Sequence, residues 1–306
     1  MPTEALPLKP ALVCRPALPV DTPAVLDLTA RIWDGGDYVP RVWDDWLADP
    51  LGLLAVGEYA GKVVATGKLT RLLPRSWWLE GLRVHPDYEG RGFASRIFAY
   101  LHGYWLRHCD GVIRLVTHSD NQPVQRMCNR LGYQRIAEFT PFRAPILSLD
   151  SAAHLNPASL FVQLGEHQVE QAVQIAQACD SLAFSRGLID LGWTWVDLNA
   201  HHLAGAARLG RLYSWRGGQG ILSAWPEVDD GPTAPYLMLA ACPAERLGEM
   251  LTDYRRFSGQ QGYAQAGWSA PLHPGLLPIL EQAGFSRYWQ EGSVVIYEFV
   301  HPTSVV

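Results

Sequence analysis

LEGLRVHPDYEGRGFA, residues Leu79 to Ala94, reads as an apolar strand that passes through a proline turn into a glycine-rich loop and then a helix. That order leaves backbone N–H groups free at a helix N-terminus, where the helix dipole favours an anion such as phosphate. Gly90 and Gly92 suit this task, because a loop that wraps an anion turns successive amides inward and residues without a Cβ let the ligand approach the backbone. The spacing is neither the G-x-G-x-x-G of a dinucleotide turn nor the G-x-x-x-x-G-K-S/T of a P-loop. A diphosphate-bearing ligand is the first expectation.

The pattern continues on both sides. Phe93, Ile97, Tyr100, Leu101, Tyr104 and Trp105 recur at helical spacing to about His108, and Gly111 to Val116 reads as a buried strand. Asn121 then precedes a second amphipathic helix, marked by Val124, Met127, Cys128 and Leu131, that ends at Leu131-Gly132-Tyr133. Upstream, Leu12 to Leu18 predicts a strand, and Thr22-Pro23 opens a helix with Val25, Leu28 and Ile32 on one face. A further helix is predicted from Pro40 to Leu47, and Leu53 to Tyr59 with Val63 to Leu72 form a hairpin across Ala60-Gly61-Lys62.

This order resembles the GNAT superfamily of acetyl-CoA-dependent N-acetyltransferases. Val84-His85-Pro86 matches the family's V-x-P at the end of the fourth strand. Glu89-Gly90-Arg91-Gly92-Phe93-Ala94 matches its diphosphate loop, Gln/Arg-x-x-Gly-x-Gly/Ala, except that Glu89 stands where the family has Gln or Arg. The resemblance implies that acetyl-CoA is held by Glu89 to Ala94, by the backbone of Leu82, Arg83 and Val84 on a splayed fourth strand, and by Asn121. Asn121 also reads as a helix N-cap ahead of Gln122-Pro123, and the two roles are compatible.

The chemistry of amide formation asks for a base, since an ammonium must lose a proton before it attacks a thioester. Glu80 stands where several members carry a basic glutamate, and a structural contact or a substrate-cation site is the alternative. The family's thiolate-protonating tyrosine falls at Cys128, which reads either as a weak proton donor or as a small buried hydrophobe. The segment IWDGGDYVPRVWDDW, residues 32–46, holds Asp34, Asp37, Tyr38 and Trp43 in the family's variable acceptor region. Acidic and aromatic groups together suit a cationic amine, and a solvated helix with a buried aromatic face explains them equally. The strings IWDGGDYVP and LEGLRV are also similar to the histidine N-acetyltransferase-like group, which suggests a free amino acid as acceptor.

The second half reads as a worn copy of the first, with an unrelated α/β domain of coincidental periodicity as the alternative. Leu160 to Leu164 begins a strand, a helix follows through Val169, Ala172, Val173 and Ala176, and Tyr236 to Ala241 stands as a second fourth strand. A helix through Leu247 to Phe257, a strand from Tyr263 to Trp268 and a helix through Leu280 then reach Ala283-Gly284-Phe285, which mirrors Leu131-Gly132-Tyr133. The turn Ala241-Cys242-Pro243-Ala244-Glu245 carries no glycine, so this copy is expected to lack a donor site. The expected fold is thus α/β (α+β), two tandem GNAT-like domains at 11–143 and 160–300 joined by a linker at 144–159, each a mixed, mostly antiparallel sheet flanked by helices.

Composition narrows the setting. A net charge of −5 and a pI near 6.0 argue against nucleic acid as a partner. No apolar run is long enough to span a membrane and no basic segment precedes an apolar one, so neither membrane nor secretory targeting is expected. Five scattered cysteines fit reduced thiols in the cytoplasm. Adjacent His201 and His202 point apart on a helix and no ligand cluster accompanies them, so no metal is expected. The expected partner is a small-molecule amine, and the chain is expected to act as a monomer or homodimer.

Overall fold

The predicted apolar runs form strands and the helical periodicities form helices in the structure, a computed structural model that describes residues 11–147, 160–227 and 234–304. The chain order begins β1 (Val13–Pro16), α1 (Thr22–Ala30), α2 (Val39–Ala48), β2 (Leu53–Tyr59), β3 (Lys62–Leu73), β4 (Ser76–Val84), α3 (Phe93–His108), β5 (Val112–His118), α4 (Gln122–Arg130) and β6 (Gln134–Pro145). It continues with β7 (Phe161–Gln163), α5 (Val169–Gln177), β8 (Leu188–Asp190), β9 (Trp195–Asp197), α6 (Ala200–Arg208), β10 (Leu212–Trp215), β11 (Gly220–Glu227) and β12 (Ala234–Ala241). α7 (Leu247–Gln260), β13 (Gln265–Pro271), α8 (Leu277–Gln282), β14 (Ser286–Arg287) and β15 (Val294–Val300) complete it. Contacts divide the described residues into two units, the first made of 11–115, 122–134 and 297–304, the second of the rest.

In the first unit β1, β2, β3 and β4 pair antiparallel in sequence order, and β5 joins β4 in parallel. Successive residues of a strand face opposite ways, and Val56 and Gly57 on β2 show what each face meets. Val56 packs in a cluster with Val25 of α1 and Val39, Trp43 and Trp46 of α2. On the other face a Cβ on Gly57 would lie 3.2 Å from Ile97 of α3, and one on Gly67 would lie 2.9 Å from the same side chain. The sheet is therefore sandwiched between α1 and α2 on one side and α3 on the other. Trp43 is buried, and its indole N–H donates to Thr22 Oγ1 at 2.9 Å, which ties α2 to the start of α1.

The second unit repeats the same plan. β7, β10, β11 and β12 form an antiparallel run, and β13 lies parallel to β12 through Tyr236 opposite Gly267 and Leu237 opposite Trp268. α7 buries Leu247, Met250, Leu251 and Tyr254 in a core with Trp215, Leu222 and Leu237. The predicted mirror of the two helix ends is present in detail. The N–H of Tyr133 bonds to the carbonyl of Cys128 at 3.0 Å and that of Phe285 to Leu280 at 2.9 Å, with Gly132 and Gly284 at φ +82 and +78. Both helices thus stop in one hydrogen-bonded cap that needs a left-handed residue, and glycine supplies it without strain. The expected α/β (α+β) class is borne out, with a mixed, mostly antiparallel sheet flanked by helices in each of two units built on one plan.

The units are not contiguous in sequence, unlike the expected 11–143 and 160–300. From Arg135 onward β6 belongs to the second unit, where Phe139 to Pro145 pair antiparallel with β13. The end of β15 belongs to the first, because Phe299 packs on His102, Trp105 and Tyr133 at ring distances of 5.0 to 5.9 Å and Glu298 pairs with Arg114 at 2.8 Å. Of the expected linker, residues 148–159 lie outside the described residues.

Candidate active site

The predicted phosphate loop has the backbone that its glycines imply. His85 Nδ1 accepts from the N–H of Asp87 at 3.2 Å and fixes a short helical turn over Pro86–Tyr88. Gly90 and Gly92 follow at φ +73 and +78, and Gly92 is the N-cap of α3 with no side chain bonded to the helix amides. A Cβ at either glycine would meet nothing within 4 Å, so φ, not crowding, demands glycine here. The first amides of a 16-residue helix are left to an outside acceptor, and the loop from Glu89 to Gly92 is exposed. Arg91 lies over Tyr88 and Tyr59 at 5.1 and 5.9 Å, and Phe93, buried against Tyr59, anchors the helix start. Uncapped amides beside Ala94, with Arg91 alongside, fit a diphosphate.

β4 is open beside this loop. Its parallel pairing with β5 covers Ser76 to Trp78 opposite Val112 to Arg114 and goes no further. The N–H of His85 bonds to Val64 of β3 at 2.9 Å, so the preceding Val84 turns its N–H and C=O toward the other edge. The register with β3 shifts between Thr66 and Lys68, which places Gly81 and Leu82 together opposite Gly67 as a bulge. Gly81 sits at φ +62, and a Cβ there would fall 2.5 Å from the Trp46 ring. The resemblance implies a strand that splays from Leu82 to Val84, and the bulge at Gly81 and Leu82, which no spacing in LEGLRV marks, is where the register breaks.

Glu80 precedes the bulge and lies half-buried. Thr70 Oγ1 donates to its Oε1 at 2.5 Å. Burial pushes its carboxyl above the usual range, opposed by the Thr70 hydrogen bond and the Lys68 charge and reinforced by Asp49. A carboxylate so placed takes a proton nearer neutral pH than a solvated one does. The phenol of Tyr38 is pushed up to about 12, first by burial and then by the Glu80 charge, and its ring meets Trp46 edge-on at 6.0 Å.

The acidic and aromatic residues of 32–46 divide. Asp37 is buried and binds Arg83 at both ends of the guanidinium, 2.7 Å to Nε and 3.1 Å to a terminal nitrogen, and accepts from the N–H of Val39 at 3.2 Å. It anchors the α1–α2 segment to β4. The Arg83 guanidinium also lies over Trp33 at 4.6 Å and Tyr38 at 5.4 Å, so its side chain is engaged in this anchor. Trp43 is in the core. Asp34 is exposed, in a left-handed pair with Trp33 at φ +53 and +49. Such backbone strain at about 1–3 kcal/mol per residue concentrates at functional loops. Tyr38 and Asp34 are the members that remain near Glu80 or solvent.

Cys128 is fully buried, and burial pushes its thiol up to about 12, which favours its reading as a packed hydrophobe. Asn121 is exposed, its N–H bonds to His118 at 3.0 Å, and it falls in the second unit. In that unit the turn after β12 is already partnered. The N–H of Ala244 donates to Asp180 Oδ1 at 2.6 Å and that of Cys242 to Ser181 Oγ at 3.0 Å, while Pro243 has no N–H. A side-chain carboxylate of the chain thus binds where the first unit leaves its amides open. Among the described residues no group of three or more His, Cys, Asp or Glu could hold a metal, and no helix is long and apolar enough to cross a membrane.

Comparison with known proteins gives the same picture. Residues 22–133 match the acetyltransferase (GNAT) family model, whereas no curated protein matches the sequence. A GCN5-related N-acetyltransferase from Sphaerobacter thermophilus superposes with a TM-score of 0.59 at 12% identity, over 94% of this chain and 95% of its own. A tandem GNAT protein from the clavulanic acid biosynthesis pathway gives 0.55 at 15% identity, over 94% and 98%. The glucosamine N-acetyltransferase region of a fungal multi-domain GH3 β-N-acetylglucosaminidase gives 0.69 at 12% identity, over 96% of this chain and 38% of that one. At these identities the structural likeness speaks for the fold, and the family match for the stretch that contains the phosphate loop. Residues 22–133, the stretch that contains the glycine loop, are thus similar to the acetyltransferase (GNAT) family.

Proposed function

We propose that this chain transfers the acetyl group of acetyl-CoA to the primary amine of a small molecule, through direct attack on the thioester. The observation that carries the reading is the succession along one strand and loop of a half-buried carboxylate at Glu80, an open strand edge from Leu82 to Val84, and uncapped amides at Gly90 to Ala94. Acetyl-CoA, once bound, supplies the activated acyl group. The amides at the start of α3, with Arg91, hold its diphosphate. The open edge of β4 holds the pantetheine arm and directs an N–H at the carbonyl oxygen, and Glu80 accepts the proton of the incoming ammonium. Tyr38 beside Glu80 and the exposed Trp33–Asp34 turn suit a cationic amine, with a free amino acid as the first class to test.

One observation favours a second reading. Cys128, at the position of the usual proton donor, is buried with its thiol pushed up to about 12, as expected of a unit that binds acetyl-CoA without turning it over. A titration with acetyl-CoA alongside a thiol-release assay over a panel of free amino acids and polyamines separates the two. Binding with thiol release dependent on an amine supports transfer, and binding without release from any amine supports sensing.

A further inference from the structure

Lys68 is a fully buried lysine in the middle of β3, at a place where an aliphatic side chain would pack at lower cost. Its ammonium is paired with the Asp49 carboxylate and donates to the Leu69 carbonyl at 3.1 Å. Space is kept for this pair. A Cβ on Gly52 would lie 2.1 Å from Lys68 Nζ and 2.4 Å from Asp49 Oδ2, so a larger residue there would displace both charges. In the β3–β4 register Lys68 lies directly opposite Glu80, and side chains so paired share a face with their Cβ atoms about 5 Å apart. Thr70, two residues along on that face, donates to the Glu80 carboxylate at 2.5 Å.

We infer that Lys68, held by Asp49 in the space left by Gly52, is the positioning residue that keeps the Glu80 carboxylate ionised, while Thr70 fixes the oxygen that does not take the proton. This rests on Glu80 as the base of the proposed reaction and adds the device that lets a half-buried carboxylate serve as one. The groups that face Glu80 are Lys68 and Thr70 from β3, Asp49 from the turn after α2, and Tyr38 from the segment before it. Asp49 has two opposed effects. Its hydrogen bond restrains the ammonium, and its negative charge offsets part of the ammonium's influence on Glu80.

The test reads Glu80 directly in the full chain, without an acceptor. With glutamate labelled by 13C at the side-chain carboxyl, the Glu80 signal is the one missing from Glu80→Gln, and its titration midpoint is followed by NMR. Lys68→Met is expected to raise the midpoint by roughly one pH unit and Asp49→Asn to lower it, because only the attractive charge is then left. Opposite shifts from two variants of one ion pair do not arise from general damage to the fold. A midpoint unmoved in folded Lys68→Met, or moved upward in Asp49→Asn, overturns the inference, and Asp49→Asn decides alone if Lys68→Met does not fold. The base reading has a separate readout. If Glu80→Gln retains full thiol release with an active amine, Glu80 is not the base, whatever its titration shows.

Discussion

The ring of Trp46 fills the place where Gly81 would carry a Cβ, 2.5 Å from that point, so the fourth strand bulges around a side chain from the second helix. Gly81→Ala must meet this contact and also a φ of +62, which costs a non-glycine residue about 1–2 kcal/mol. Unfolding by urea should show a loss of at least about 2 kcal/mol. The bulge also aims the following residues at the open edge, so acetyl-CoA affinity should fall in the protein that remains folded. Wild-type stability in Gly81→Ala would show that Trp46 moves aside freely.

Glu80→Gln is expected to lower kcat/KM by roughly 10²–10⁴ with acetyl-CoA affinity kept. The sign of the pH dependence follows from the raised pKa. The base works only when ionised, so activity is lost as pH falls through a midpoint above the ordinary 4.5 of a glutamate, and this acid limb should vanish in the variant. The profile is measured with whichever amine gives the fastest thiol release. An unchanged acid limb would assign it to another group.

Cys128→Ala should cost about 1 kcal/mol of stability, because it removes one buried sulfur, and should leave the rate near that of the wild type at all pH values. A large rate loss confined to high pH, with normal stability, would instead make the thiol a proton donor.

Asp180→Ala removes the acceptor of the Ala244 amide in the second unit. A stability loss of about 1 kcal/mol is expected, with no gain of acetyl-CoA binding, since Pro243 still lacks an N–H and no glycine opens the turn. A new site detected by calorimetry in this variant would mean that the carboxylate alone blocks the second copy.

What could be read in the sequence was local. Gly90 and Gly92 announce a left-handed loop within six residues, and the caps at Gly132 and Gly284 follow from the same property of glycine. What could not be read depends on partners far along the chain. Gly81 looks like any strand residue until Trp46, 35 positions earlier, is placed against it, and Lys68 looks like a surface lysine in KVVATGKLT. Asp37 reads as an amine-binding carboxylate because its chemistry allows it. Only the fold brings Arg83 to it, whereas the burial of Trp43 follows the helical spacing of Val39, Trp43 and Trp46, the buried aromatic face that the sequence already offered. Val294 to Val300 is a short apolar run with the composition of a strand, but that its end joins the first unit is decided by Phe299 meeting His102 and Trp105.

The central claim is that one loop, Glu89 to Ala94, binds the acetyl donor and that its copy does not. Isothermal calorimetry of the full chain with acetyl-CoA measures this directly. One site per chain is expected, lost in Gly92→Asp, whose bulk and negative charge enter the open amides; the left-handed backbone at φ +78 lowers the melting transition of this variant, and binding is read at a temperature where it remains folded. A stoichiometry of two, or an affinity unchanged in Gly92→Asp, would contradict the account.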